Sequence, residues 1–176
     1  GKGMSVMDCL NIDGQYIHYG VREHGMAAIM NGIAATKIYK TYSGTFLSFA
    51  DYMKPSLRLA ALMKIDPIQV FTHDSIGLGE DGPTHQPIEQ INMLRLIPNS
   101  YVFRPCDLKE TILCWREALK INDAPSFICL SRQNLPQISG KKLVSKNFKG
   151  AYCISGPKAK NDITIIATGS EVSPVS

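Results

Sequence analysis

The chain lacks the sequence features of membrane proteins and of nucleic-acid-binding proteins. It has no run of about 18 apolar residues, so no transmembrane helix is predicted. Its 19 basic and 15 acidic residues are scattered and form no basic stripe, which argues against a nucleic-acid partner. It begins Gly-Lys-Gly-Met, with neither an apolar leader nor an initiator methionine, and we expect it to be an internal piece of a longer chain.

The five cysteines form no close pair. Their number is odd and no C-x-x-C spacing occurs, so the sequence predicts neither a disulfide framework nor a zinc site. We expect reduced and mostly buried thiols, as in a cytoplasmic protein.

The remaining composition is typical of a folded domain, because 44% of the 176 residues are hydrophobic and no internal repeat or low-complexity run occurs. Strand-like and helix-like segments alternate, which predicts an α/β fold with a mostly parallel sheet flanked by helices. Strands are predicted at 16–21, 38–42, 68–72, 101–103, 127–130 and 163–167. Helices are predicted at 25–36, 49–64 and 87–96, and from a capping aspartate, Asp107, to about Ile121.

The predicted domain boundary follows a change in composition. Residues 137–160 are polar, basic and rich in glycine, which is typical of a linker or a small strand pair. We therefore assign residues 1–150 to one domain, and residues 151–176 to a linker and the first strand of a second domain.

Ligands of parallel sheets bind beyond the carboxyl ends of the strands. Glu23, His73 and Arg132 each follow a predicted strand. Glu23 is either a solvated residue that complements a helix dipole or a partly desolvated carboxylate that shares a proton. Arg132 is either a solvated cation or a bidentate phosphate ligand.

The segment Thr72–Pro87 (THDSIGLGEDGPTHQP) follows no periodic core pattern and is predicted to be a long functional loop. It contains a G-x-G-x-x-G match, but Pro83 follows the last glycine where a nucleotide-binding helix should begin, so we assign the glycines to tight turns. Three interpretations of His73 and His85 remain open: metal ligands, turn-stabilising residues, or hydrogen-bonding partners of a hydroxylated or phosphorylated substrate.

Three aromatic residues recur every third position in the segment 43–52, namely Phe46, Phe49 and Tyr52. This spacing fits a helical core stripe. It also fits an aromatic wall for a flat ring, with Gly44 permitting close approach.

Taken together, these segments resemble the pyrimidine-binding middle domain of transketolase, a thiamine-diphosphate enzyme. The matching segments occur in family order along nearly the whole chain. They are YGVREHGM (19–26), TFLSFADY (45–52), THDSIGLGEDGPTHQP (72–87), RPCD (104–107), LSRQN (130–134) and IATGSEV (166–172).

The resemblance implies transfer of a two-carbon ketol unit from a ketose phosphate to an aldose phosphate. It implies that Glu23 hydrogen-bonds N1′ of the cofactor's aminopyrimidine and favours the tautomer that deprotonates the thiazolium C2. It also implies that Phe46 stacks on the pyrimidine, and that Phe49 and Tyr52 complete the pocket.

For the sugars, the resemblance implies that His73 and Arg132 hold a phosphate of the donor or acceptor. Asp81 would contact the hydroxyl next to the donor's carbonyl carbon, and His85 would bind hydroxyls of the two-carbon unit. The catalytic residues would be Glu23, His73 and His85. The parent enzyme is expected to be a cytoplasmic homodimer of the pentose phosphate pathway.

The family's Gly-Asp-Gly run, which holds the diphosphate and a Mg²⁺ or Ca²⁺ ion, is absent. We therefore expect no metal ligand in this chain and assign the ion to another domain. The family pattern also implies that the first strand and helix of the domain are missing, and that the fold is truncated at both ends. Because the family's site lies between two subunits, the chain alone is expected to be inactive.

Two alternatives remain. One is a relative similar to deoxyxylulose-phosphate synthase, which also carries a D-G-x-T-H-Q run. That family lacks the His73-Asp74 pair and the S-R-Q-N segment found here. The other is a non-catalytic fold or dimerisation module.

Overall fold

The protein is built on a sheet of four parallel strands. The computed structural model describes residues 3–138, 150–156 and 162–175. The strands are β1 (Tyr42–Phe46), β2 (Ile68–Thr72), β3 (Tyr101–Phe103) and β4 (Ser126–Leu130), and their order in the sheet is β1-β2-β4-β3. The helices are α1 (Glu23–Ala35), α2 (Ala50–Met63), α3 (Gln90–Arg95), α4 (Leu108–Lys120) and α5 (Val172–Val175). The predicted α/β fold is confirmed.

Helices cover both faces of the two central strands. On one face Phe71 of β2 and Phe127 of β4 pack in a large cluster with apolar side chains of α1, α2 and α3. On the other face Ile68 and Ile128 pack against Ala118 of α4. Both faces are therefore dry, which explains why consecutive side chains of β2 and β4 are buried rather than alternating with exposed ones.

The predicted cap of α4 is confirmed. The Asp107 carboxylate accepts a hydrogen bond from the Glu110 backbone N–H at 2.9 Å. The Glu110 side chain in turn accepts a hydrogen bond at 2.7 Å from the backbone N–H of Cys106, one residue before the cap. Asp107 also accepts bonds from Gln137 Nε2 at 2.6 Å and from the Ile138 N–H at 3.0 Å, so the cap anchors the chain beyond β4.

Two predicted strands near the amino terminus are wrong: one does not form, and the other lies at a different position. Residues 16–21 form no strand, and Tyr16 makes only an isolated bridge to Val6. The strand predicted at 38–42 lies at Tyr42–Phe46, because pairing with Ile68–Thr72 sets its position. Tertiary pairing overrides β-propensity here.

Two further predictions need correction. The segment 163–167 forms no strand, and its isoleucines are exposed. Helix α3 begins at Gln90 rather than Pro87, because the Ile88 N–H donates to the Gln90 side chain in a turn before the helix. Part of the predicted linker lies outside the described residues, and the boundary at residue 150 stays a prediction.

Three of the five cysteines are buried and two are exposed, and all five are free. Burial, reinforced by nearby carboxylates, raises the pKa of Cys114 and of Cys129 to about 12. These buried thiols are therefore protonated and unreactive near neutral pH. Within the described ranges, no helix is long and apolar enough to cross a membrane.

The Asp107 cap gives a stability prediction. We expect Asp107→Ala to lower the free energy of unfolding by about 2 kcal/mol, because it removes a helix cap and leaves partly buried N–H groups unpaired. Asp123→Ala, at an exposed aspartate in the loop between α4 and β4, is the control and should change it little. Denaturant unfolding of both variants measures the difference, and equal midpoints would contradict the assignment.

Candidate functional site: an aromatic and histidine cluster at the carboxyl edge of the sheet

The parallel register places Phe46 beside His73. Phe46, the last residue of β1, is paired with Thr72, the last residue of β2. The residue after Thr72 is His73, and its imidazole stacks on the Phe46 ring with centroids 3.7 Å apart and planes 23° apart. Two residues separated by 27 positions in the sequence are therefore in face-to-face contact.

Three more rings extend this cluster. Phe49 lies parallel to Phe46 at 6.0 Å, and Tyr52 lies 6.2 Å from Phe49. The His85 ring meets Phe49 edge-on at 5.1 Å and Phe46 at 6.1 Å. We call these five side chains, Phe46, Phe49, Tyr52, His73 and His85, the ring cluster.

The ring cluster is not part of the buried core. Phe46 and Phe49 are half-buried, and Tyr52 is 65% exposed. The interpretation of these aromatics as a helical core stripe is therefore wrong. Their ring faces form a partly open wall at the carboxyl edge of the sheet.

Both histidines are held by the threonine that precedes them. The Nδ1 atom of His73 lies 2.9 Å from Thr72 Oγ1, and that of His85 lies 2.8 Å from Thr84 Oγ1. Among the described residues, neither Nε2 atom has a hydrogen-bond partner. Each imidazole is thus oriented through one nitrogen while the other is available to a ligand.

The predicted loop consists of two short 3₁₀ turns, Ile76–Leu78 and Pro83–His85. Gly79 and Gly82 have φ angles of +101° and +79°, which residues with a side chain rarely adopt. This agrees with assigning the glycines to tight turns rather than to a nucleotide fingerprint. Asp81 lies between the turns and is exposed.

Two residues after β4 reach back over this loop. Arg132 is exposed, and its Nε and Cζ atoms would lie 3.4 and 3.5 Å from a Cβ at Gly79. The Gln133 side chain lies against Gly77, where its Nε2 atom would be 3.1 Å from an added Cβ. Its Oε1 atom is buried and has no hydrogen-bond partner among the described residues. Sequence reasoning assigned no role to Gln133, although it lies in the quoted LSRQN segment.

Glu23 is held separately, as the first residue of α1. It follows no strand, contrary to the prediction, because residues 16–21 are not extended. Its carboxylate is partly buried and has no hydrogen-bond or ion-pair partner among the described residues. The first turn of a helix favours its negative charge, and α1 itself packs on β1 and α2.

Sequence reasoning missed a buried ion pair behind the loop. Arg104 Nε, just after β3, donates to Asp74 Oδ2 at 2.8 Å, and the Asp74 side chain is fully buried. Arg104 also donates to Thr168 and Glu171, near α5. Burial lowers the pKa of Arg104, but its bonds to Glu171 and Asp74 outweigh burial and raise that pKa, so the guanidinium stays charged.

A metal-ligand role for His73 and His85 finds no support in this geometry. In residues 3–138, 150–156 and 162–175, no group of three or more His, Cys, Asp or Glu side chains could hold a metal ion. The two histidines instead contact threonine hydroxyls and aromatic rings.

Comparison with known proteins identifies the family. The family model of the transketolase pyrimidine-binding domain matches residues 2–137. The chain belongs to the transketolase family.

Individual transketolases match at high identity. Transketolase 2 of Vibrio parahaemolyticus is 51% identical over 172 residues, which is 97% of this chain and 26% of that relative. A solved Pichia stipitis transketolase in complex with sedoheptulose-7-phosphate is 48% identical, with a TM-score of 0.92 over 99% of this chain and 26% of its own. The Leishmania mexicana transketolase is 47% identical, with a TM-score of 0.74 over 76% of this chain and 20% of its own.

The chain spans about a quarter of the length of the curated relatives it matches. The resemblance to the transketolase pyrimidine-binding domain is confirmed, and the parallel sheet with flanking helices is that of the solved transketolases.

The Glu171–Arg104 ion pair predicts a pH-dependent contact. Burial raises the pKa of Glu171, but Arg104 outweighs burial and holds that pKa below its ordinary value of 4.5. A carboxyl with a lowered folded-state pKa stabilises above its unfolded pKa, and the effect is lost as pH falls through the folded pKa. We expect residues 168–171 to be held at neutral pH and released as the pH falls below 4.5.

Hydrogen exchange of the Gly169 and Glu171 amides, corrected for the intrinsic rate, measures this release. Glu171→Gln is the matched variant and should lose the pH dependence. Identical exchange profiles in the two proteins would contradict the role of this carboxyl.

Proposed function

We propose that this chain supplies the aminopyrimidine-binding and sugar-binding part of a transketolase site. The activity is transfer of a two-carbon ketol unit from a ketose phosphate to an aldose phosphate with thiamine diphosphate. The observation that carries the proposal is the ring cluster, which joins a stacking wall to two oriented histidines at the carboxyl edge of the sheet. The sedoheptulose-7-phosphate complex of the Pichia stipitis relative supports the substrate class.

The residues present fit the pyrimidine end of the cofactor. Phe46 and Phe49 are half-buried and parallel, which suits a flat heteroaromatic ring. Glu23 is a partly buried carboxylate with no described partner. Thiamine diphosphate, when bound, supplies the nucleophilic carbon that takes up and releases the two-carbon unit.

Glu23 has the task of holding a proton at N1′ of the aminopyrimidine. A carboxylate removed from bulk water shares a proton more strongly than an exposed one. Its place as the first residue of α1 fixes its backbone at the start of the helix. Phe46, Phe49 and Tyr52 orient the ring and exclude water from it.

His85 and Asp81 bind sugar hydroxyls, and His73 binds a sugar phosphate. Each histidine presents Nε2 with its orientation fixed by a threonine, which suits a hydrogen bond to a hydroxyl or to a phosphate oxygen. Asp81 is an exposed acceptor between the two turns of the same loop, and we assign it the hydroxyl next to the donor's carbonyl carbon.

Arg132 binds the sugar phosphate, together with His73. Its guanidinium lies over Gly79 beside the same loop, where it is exposed. A planar, permanently charged fork suits a phosphate, which it can bind through two parallel hydrogen bonds.

Other parts of the enzyme complete the site. We assign the cofactor's diphosphate and its Mg²⁺ or Ca²⁺ ion to a domain outside this chain, and the working enzyme to a cytoplasmic homodimer of the pentose phosphate pathway. Residues 1–150 form the pyrimidine-binding domain and 151–176 lead into the next. The relatives reported above are transketolases, which favours this activity over a deoxyxylulose-phosphate synthase. The chain alone, inactive without its partners, is a folding or dimerisation module.

The role of Glu23 is tested in the full-length enzyme. Glu23→Gln should lower kcat by about a hundredfold or more, because the amide cannot exchange a proton with the ring. Glu117→Gln, at a surface glutamate on α4, is the matched control and should leave kcat unchanged. A Glu23→Gln enzyme with near-normal kcat in a steady-state ketol-transfer assay would refute the assignment.

The role of Arg132 predicts a split between substrates. Arg132→Ala should raise KM for phosphorylated sugars by about tenfold or more, since a charge-assisted hydrogen bond to phosphate is lost. KM for the unphosphorylated analogues should change little. Arg58→Ala, at an exposed arginine on α2, is the control. Equal increases of KM for both sugar classes would show that Arg132 does not bind the phosphate.

A further inference from the structure

His73 has an unusual backbone conformation. Its φ angle is +58°, in the left-handed region, which is unfavourable for a residue with a Cβ. Such a conformation persists only where the surrounding structure holds it. The ring position on Phe46 therefore depends on what fixes the chain on either side of His73.

On one side, Thr72 is fixed by the sheet. It is the last residue of β2, paired with Phe46 on one neighbouring strand and with Leu130 on the other. On the other side, Asp74 is fixed by its side chain. That side chain is fully buried, and Oδ2 accepts from Arg104 Nε at 2.8 Å.

Asp74 depends on Arg104 for its position. Its second carboxylate oxygen, Oδ1, is buried and has no hydrogen-bond partner among the described residues. A buried carboxylate that loses its cation is strongly unfavourable, so removal of Arg104 would drive the Asp74 side chain towards water or towards another hydrogen-bond donor. Either change moves the chain directly after His73.

Arg104 is held in turn by the segment 168–171. Its carbonyl accepts from the Gly169 N–H at 3.0 Å, and its guanidinium donates to Thr168 O at 3.3 Å and to Glu171 Oε1 at 3.0 Å. Gly169 has a φ of +58°, and a Cβ there would lie 2.8–3.1 Å from Nε, Cγ and Cδ of Arg104. Only glycine lets this segment close on the arginine side chain.

We propose that Arg104 is a positioning residue for His73. By pairing with Asp74 it fixes the left-handed backbone of His73 and the imidazole stack on Phe46, and the segment 168–171 fixes Arg104. The inference rests on the proposed function, because it assumes that His73 binds the sugar substrate. It extends that function by making the sugar-binding histidine depend on a segment at the far end of the chain.

The test is a double-mutant cycle in the full-length enzyme, assayed at a temperature where every variant is folded. Arg104→Gln should lower kcat/KM for the ketose donor by about tenfold, because a displaced binding group is poorly aligned. In a His73→Ala background, Arg104→Gln should lower kcat/KM for the ketose donor by less than about twofold, since no imidazole remains to be positioned. Arg58→Gln is the control and should have no effect in either background.

Non-additivity of this kind supports positioning through His73. Equal fold-losses in the two backgrounds would overturn the inference, because a merely structural arginine acts regardless of the imidazole. If Arg104→Gln does not fold, Glu171→Gln replaces it. That variant keeps the Arg104–Asp74 pair, and we expect the same pattern with a loss of about threefold.

Hydrogen exchange provides a readout independent of catalysis. In protein without sugar, Arg104→Gln and Glu171→Gln should increase exchange of amides 73–78 relative to Arg58→Gln. Unchanged exchange in both would overturn the inference. If His73→Ala alone leaves kcat/KM unaltered, the proposed sugar contact of His73 fails, while this exchange measurement still decides whether Arg104 fixes the loop.

Discussion

The parallel pairing of β1, β2 and β4 is the constraint on which the site depends. It places the last residues of the three strands, Phe46, Thr72 and Leu130, side by side at one edge of the sheet. Each strand is followed by a segment of the candidate site: the aromatics after β1, the histidine loop after β2 and Arg132 after β4. A shift of register in one strand would remove its segment from the other two. The dry core on both faces of β2 and β4 keeps that register fixed.

The sequence alone predicted the central elements well. Strands β2 and β4 are short, mostly apolar runs, α2 carries apolar residues at helical spacing, and α4 begins at a capping aspartate. At these elements local signals and tertiary environment agree. The errors lie where local signals are ambiguous. Residues 16–21 and 163–167 are rich in β-formers but have no strand to pair with in the described part of the chain. Propensity describes a surface that suits a sheet, and the partner decides whether one forms.

Motifs in the sequence identified the residues of the ring cluster but not their arrangement. The contact between Phe46 and His73 follows from the strand register. The edge-on contact of His85 with Phe49 follows from glycine turns, whose φ angles cannot be read from the sequence. The Asp74–Arg104 ion pair could not be predicted from the sequence for a different reason. Its members lie 30 positions apart, and their third partner, Glu171, lies 67 positions beyond Arg104. A contact at such distances leaves no periodic signal in a single sequence.

We propose that this carboxyl edge is one half of a thiamine-dependent sugar site. The most direct measurement is a crystal structure of the full-length protein with thiamine diphosphate and a ketose phosphate. We expect the aminopyrimidine ring against Phe46, with N1′ within hydrogen-bond distance of Glu23, and the sugar against His73, His85 and Arg132. A cofactor or sugar bound elsewhere, with the ring cluster facing only solvent, would contradict it.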